Sequence, residues 1–148
     1  MGSRSQMQWA NVPNAGFTTA EKPWFAVNPN YGEINAKQSL ADPNSIYHYF
    51  RKLIEFRKKT SALIYGDFED LDPANLRLFT YLRSLGTDKY LIILNFSGDD
   101  VFYPLPAGLE AGQLLFSTSE LKEENLSALN LKAWEGRLYR IDYPQSKS

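Results

Sequence analysis

Few side chains in this 148-residue sequence can do chemistry, and the carboxylates Asp67, Glu69, Asp70 and Asp72 are the first to weigh. Paired carboxylates serve glycoside hydrolysis and calcium binding. Here they run into Asp72-Pro73-Ala74-Asn75, which reads as a turn, and the run lacks the glycine and closing glutamate of a calcium loop. A solvated surface is the expectation. His48 is the sole histidine and has no cysteine or second imidazole to work with, so neither a catalytic nor a metal role is expected for it. With no cysteine there is no thiol nucleophile and no thiolate metal site. The sequence also lacks a phosphate-cradling glycine loop and a Gly-x-Ser-x-Gly nucleophile elbow. No cofactor and no metal are expected.

The elements that must position any site divide sharply along the chain. Asp42 to Ser61 carries the one sustained helical pattern: Ile46, Tyr49, Phe50, Leu53 and Ile54 recur at three- and four-residue spacings, forming an apolar stripe. Asp42 as N-cap and Pro43 at the first helical position predict where the helix starts. Residues 1–41 have neither a helical nor an alternating period and read as a folded loop at best. Yet this arm holds Trp9, Phe17, Trp24, Phe25 and Tyr31, too many rings for a flexible linker. The simplest explanation is that they pack on a surface this chain lacks or that a second copy supplies.

Beyond the helix the pattern turns to strands. Leu76 to Leu85, a turn at Gly86-Thr87-Asp88, and Lys89 to Phe96 predict a hairpin whose second strand, apolar on both faces, is central. Val101 to Leu105, bounded by Pro104 and Pro106, suits an edge. Gln113 to Thr118, Asn125 to Leu131 and Gly136 to Tyr143 complete an antiparallel set, and the tail from Gln145 to Ser148 is expected to fray.

Composition excludes several classes. With 43% hydrophobic residues the chain can bury a core. Sixteen basic against seventeen acidic residues leave a net charge of −1, so no global field attracts nucleic acid. No stretch approaches the roughly 20 apolar residues of a membrane span. The absence of cysteine fits a reducing compartment, and a cytoplasmic location is expected.

Several motifs in order carry a resemblance. Arg4-Ser5-Gln6-Met7-Gln8-Trp9, Asn14-Ala15-Gly16-Phe17-Thr18, Pro23-Trp24-Phe25-Ala26-Val27-Asn28-Pro29-Asn30-Tyr31, Glu33-Ile34-Asn35 and Leu53-Ile54-Glu55-Phe56-Arg57 resemble oligo-1,6-glucosidases and related α-glucosidases of the α-amylase superfamily, family 13 glycoside hydrolases. The match covers roughly residues 4–71 by motif. It implies a C-terminal fragment of such an enzyme: residues 1–61 a remnant of the catalytic barrel, comprising the loop after its last strand and its last helix, and residues 62–148 a C-terminal β-sandwich domain. The resulting fold is mainly β, an irregular arm and one long helix from a TIM barrel followed by an antiparallel β-sandwich.

The resemblance also says what is missing. The family's nucleophilic aspartate, acid/base glutamate and third aspartate sit on earlier barrel strands, the last within an Asn-His-Asp motif that this sequence does not contain. The family's Arg-x-Pro-Met-Gln-Trp-Asp departs here at Gln6, in place of proline, and Ala10, in place of aspartate. What carries over is a peripheral substrate-rim role for Arg4, Gln8 and Trp9, since guanidinium and indole suit hydroxyl recognition and sugar-face packing. The chain itself is expected to be no enzyme, its partners the missing barrel and an oligosaccharide contact. The competing expectation is an independent carbohydrate-binding module with Tyr81, Tyr90, Phe102 and Tyr103 as its platform. Coplanar, exposed rings on one face would separate the two.

Overall fold

The computed structural model describes residues 5–120 and 127–141. Arg4, the first residues of the strand expected from Asn125, the end of the one expected to reach Tyr143, and the tail lie outside these residues. The chain forms two compact units, Met1–Glu55 and Phe56–Ser148.

In the first unit, backbone-specialised residues do most of the folding. Asn14, Ala15 and Gly16 are successively left-handed (φ 53°, 55° and 70°) in the 3-10 turn Pro13–Gly16, and the buried Ala15 carbonyl accepts from Trp9 N–H at 2.9 Å. Asn28 caps a second 3-10 turn, Pro29–Gly32. The arm then departs from its reading as a loop, because Ala36–Ala41 is a short helix, α1. Asn35 caps it, its Oδ1 accepting from Gln38 N–H at 3.0 Å. The carbonyls of Gln8 and Trp9 accept from Ala36 and Lys37 N–H at 2.8 and 2.9 Å, pairing two helix-start donors that have no partner inside the helix.

The long helix α2 spans Ile46–Lys59, starting later than expected. Asp42 holds a turn instead: its Oδ1 accepts from Asn44 N–H at 2.9 Å and its carbonyl from Ser45 N–H at 3.1 Å. Ser45 then occupies the cap position, its carbonyl accepting from Tyr49 N–H. At roughly 1.5 Å per residue α2 is about 21 Å long. No residue of α2 is buried, and Ile46, at the head of the apolar stripe, is 87% exposed.

The second unit holds the last turn of α2, the short helix α3 (Ser61–Tyr65) and seven strands: β1 Asp67–Asp70, β2 Leu78–Leu85, β3 Asp88–Asn95, β4 Val101–Pro104, β5 Gln113–Ser117, β6 Ala128–Leu131 and β7 Gly136–Ile141. Thr60 separates the helices, its hydroxyl donating to Phe56 O at 2.8 Å. Among the described residues the strands form a five-stranded antiparallel sheet, β1-β2-β3-β7-β5, and a two-stranded sheet, β4-β6. The mainly β reading holds. The expected hairpin pairs Leu78 with Asn95 through Leu85 with Asp88, turning at Gly86, whose φ of +59° suits glycine. Strand β1 is a correction, since the acidic run read as solvated turn is an edge strand paired to β2 from Asp67↔Ser84 to Asp70↔Tyr81.

Alternation gives the larger sheet two apolar faces. Leu78, Leu82, Leu91, Ile93, Tyr139 and Ile141 pack against Val101, Tyr103, Leu129 and Leu131 of the smaller sheet, the sandwich core. On the outer face, Tyr90, Ile92 and Leu138 are covered by Ala62, Leu63 and Phe56. Helix α3 approaches β2 so closely that a Cβ on Gly66 would stand 2.7 Å from the Ser84 carbonyl.

Candidate functional site

Gln8 and Trp9, expected at a substrate rim, are each held by contacts within the arm. Gln8 spends both amide hydrogens inside the arm, on Asn30 Oδ1 at 3.0 Å and on Ile34 O at 2.6 Å. It clamps two distant turns and has no donor left for a sugar hydroxyl. Trp9 is fixed through its backbone at both ends, while the residue as a whole is 52% exposed. Gln6, where the resembling family has proline, donates to Phe25 O at 2.6 Å. Arg4 lies outside the described residues.

Other arm rings are also left in water. Phe17 and Phe25 are half exposed, and Trp24 is almost wholly so, stacked on Phe25 at 5.5 Å with 16° between the planes. An open hollow beside Pro13–Gly16 is lined by Val12, Asn14, Phe17, Thr18 and Glu21, with Glu21 its one carboxylate.

The residues set aside on sequence grounds fall where packing explains them. His48 Nε2 lies 3.0 Å from Leu40 O, and its ring meets Tyr47 edge-on. Asp70 Oδ1 accepts from Asp72 N–H at 3.1 Å, and Asp72 Oδ2 from Asn75 Nδ2 at 2.8 Å, so these carboxylates shape the turn. Among the described residues no three His, Asp or Glu side chains group so as to hold a metal ion. No helix among them is long and apolar enough to cross a membrane.

The four rings named for a carbohydrate platform are dispersed. Tyr90 and Tyr103 are buried in different clusters, Phe102 stands exposed on the smaller sheet, and Tyr81 is half buried on the outer face of the larger one. Tyr81 does touch Phe68 and Phe79, at 5.2 and 4.9 Å, but with 37° and 38° between planes. Such tilts present no flat surface to a sugar ring.

Sequence patterning missed a buried, fully bonded ion pair among the described residues. Arg137 and Glu135 are both buried (3% and 1% exposed) and doubly bonded, Nε to Oε1 at 2.8 Å and Nη2 to Oε2 at 2.9 Å. Glu135 also accepts from Lys132 N–H at 2.6 Å and Ser117 Oγ at 3.2 Å, while Arg137 Nη2 donates to Asn130 O of β6 at 2.5 Å. Burial alone would raise the Glu135 carboxyl. The guanidinium, the Lys132 amide and the Ser117 hydroxyl outweigh it and hold the carboxyl below its ordinary value. Burial likewise opposes the charged Arg137, but hydrogen bonds to Glu135 and Tyr139 raise it beyond the ordinary arginine range. The pair ties the two sheets together, which is a structural task.

Residues 2–66 match the α-amylase catalytic domain, and residues 78–137 match the C-terminal domain of the α-amylase SusG. The chain is 40% identical over 145 residues to the oligo-1,6-glucosidase of Parageobacillus thermoglucosidasius, covering 96% of this chain and 26% of that protein. The glucan 1,6-alpha-glucosidase of Streptococcus pneumoniae is 44% identical over 98 residues, 66% of this chain and 18% of that one. Among solved structures, the trehalulose synthase MutB from Pseudomonas mesoacidophila superposes with a TM-score of 0.86 at 38% identity, over 94% of this chain and 25% of its own. The chain thus spans about a quarter of the length of such relatives.

Proposed function

The chain belongs to the α-amylase superfamily of glycoside hydrolases, among its oligo-1,6-glucosidase-like members, and on that premise we propose that it is the non-catalytic C-terminal part of a retaining α-glucosidase. Residues 1–61 are what it holds of the catalytic barrel, and residues 62–148 are the C-terminal β domain that supports it. One observation carries the reading. A catalytic-domain segment and a C-terminal-domain segment follow each other in one chain that spans a quarter of its relatives, and the catalytic-domain segment leaves Trp9, Phe17, Trp24 and, on α2, Ile46, Phe50 and Ile54 exposed. Apolar surface of that extent needs a partner, and the rest of the barrel is the partner in this reading.

The parent enzyme acts on α-1,6 or α-1,4 glucosides, a reading supported by relatives that are oligo-1,6-glucosidases and a glucan 1,6-alpha-glucosidase. Retaining hydrolysis needs a nucleophile and an acid/base carboxyl about 5–5.5 Å apart. In this chain Asp70 and Asp72 are committed to a turn and Glu135 to Arg137, and in this reading both catalytic groups belong to the part of the barrel that this chain does not include. Trp9, with Arg4 five residues before it, contributes an indole face at the substrate rim, and Gln8 positions the loop that carries it. The parent works in the cytoplasm, in keeping with a sequence free of cysteine. The purified chain should release no glucose from isomaltose or an aryl α-glucoside. Release above a blank, in a preparation free of other glucosidases, would refute the non-catalytic assignment.

A further inference from the structure

The turn between β6 and β7 holds a bulky residue in a conformation that suits glycine. Trp134 has a φ of +58°, a left-handed backbone that strains a large side chain and persists only where the surroundings impose it. Burial does not offset the strain, because the residue is 68% exposed and joins no ring contact among the described residues. Its indole N–H has no partner among them either. The backbone around it is nevertheless firmly held. Trp134 N–H donates to Ser97 O at 3.1 Å, and the buried Asn95 amide donates to Asp99 O and Lys132 O, both at 2.8 Å, so the turn after β3 and the turn before β7 form one fixed body.

Polar groups on the same two turns choose the ligand class. Asp100 Oδ1 accepts from Ala133 N–H at 3.1 Å and its Oδ2 from Lys132 Nζ at 2.7 Å, while the Asp100 and Lys132 side chains stay 61% and 69% exposed. Gly98 faces the indole nitrogen, and even an added Cβ there would lie 4.0 Å from it. An open indole with a free N–H therefore shares a rigid surface with a carboxylate acceptor and an ammonium donor. A sugar offers an apolar ring face to such an indole and hydroxyls that both donate and accept to such polar groups. A polyanion would meet Asp99 and Asp100 beside the single Lys132, and a protein partner would find one ring flanked by exposed charges in place of an apolar patch. We propose that Trp134, with Asp100 and Lys132, is an oligosaccharide-binding site on the second unit, and that its ligand is an α-linked glucan. The α linkage rests on the function proposed above; the site itself rests on the geometry.

The test follows the three indole N–H signals of the isotope-labelled 148-residue chain by NMR during titration with isomaltotriose, with cellotriose as the β-linked control. One signal should shift and saturate with isomaltotriose, and it should be the signal missing from Trp134→Gly. Because glycine suits the left-handed backbone, that variant should hold or raise the thermal midpoint while the retardation of the chain in a dextran-containing gel is lost. No shift, a shift at Trp9 or Trp24 instead, or a response to cellotriose as large as that to isomaltotriose would overturn the proposal. A midpoint that falls by many degrees in Trp134→Gly would overturn it by making the indole a packing residue, and a dimer that the variant dissociates would overturn it in favour of a second copy as occupant. Each of these failures leaves the proposed function standing, since that reading makes no use of Trp134. Glucose release by the purified chain would count against the function and leave the site.

Discussion

Replacing Glu135 by Ala should be the most damaging single polar substitution in the second unit, and the structure sets its size. The change removes the two carboxylate acceptors of the buried Arg137 guanidinium, leaving it Asn130 O and Tyr139 Oη, and leaves the Lys132 N–H and Ser117 hydroxyl without that carboxylate. Removing one partner of a buried ion pair costs about 3–5 kcal/mol, because the remaining charge stays desolvated. A small domain has only about 5–15 kcal/mol to lose, so the variant should be largely destabilised. Equilibrium urea denaturation at pH 7 measures this. Replacing both partners with apolar residues, Glu135→Leu/Arg137→Met, should cost less than the single change, because no charge is stranded. The pH dependence follows from the sign of each shift. Glu135 is depressed in the folded state, so its contribution is complete above the unfolded carboxylate value of about 4.3 and is lost as pH falls through the lower folded value. Arg137 is raised, so its contribution is complete below the ordinary arginine value and stays constant through neutral and acid pH. The wild-type chain should therefore lose stability on acidification more steeply than Glu135→Gln, which has nothing to protonate there. A loss below about 1 kcal/mol for Glu135→Ala, the range of an exposed pair, would refute this assignment.

Two further substitutions probe how the halves of the chain are built. Gly66→Ala should destabilise the second unit by about 1–3 kcal/mol, since the new Cβ would press on the Ala62 and Ser84 carbonyls; an unchanged thermal midpoint would show that α3 can lift off β2 freely. Gln8→Ala should free the Asn30 side chain and the Ile34 carbonyl, at about 0.5–1.5 kcal/mol for each hydrogen bond lost, and speed amide exchange between Asn30 and Ala36; exchange identical to wild type would show that Gln8 does not hold the arm.

How much of this was legible depended on whether the signal was local. The β2–β3 hairpin was readable because β3 is apolar on both faces and Gly86 marks the turn, and both features follow from residues next to each other. The helix stripe was readable, but not its start. Asp42-Pro43 suits a helix cap and a turn equally, and Ser45, three residues on, took the cap position. Strand β1 carries one apolar residue among three acids, so nothing in its own sequence distinguished an exposed edge strand from a turn. The partition into two sheets was hidden for a different reason, because β4 selects β6 over the larger sheet through contacts distant in sequence. Glu135 and Arg137 stand at alternate positions, the usual mark of a solvent-facing side, and only the three-dimensional pairing reveals them as buried. In the arm, the motif residues Asn14, Asn28 and Asn35 proved to be turn and cap residues, so the recognisable sequence there specifies a backbone path.

We propose that this chain completes an α-glucosidase without supplying its catalytic groups. Glucose release from an aryl α-glucoside tests it most directly, measured on three samples: this chain alone, the P. thermoglucosidasius enzyme truncated before the matching quarter, and that truncated enzyme joined to this chain. Activity is expected in the joined protein and none in the chain alone, with the truncated enzyme inactive or far less stable. Activity in the chain alone, or a truncated enzyme as active and as stable as the joined one, would contradict it.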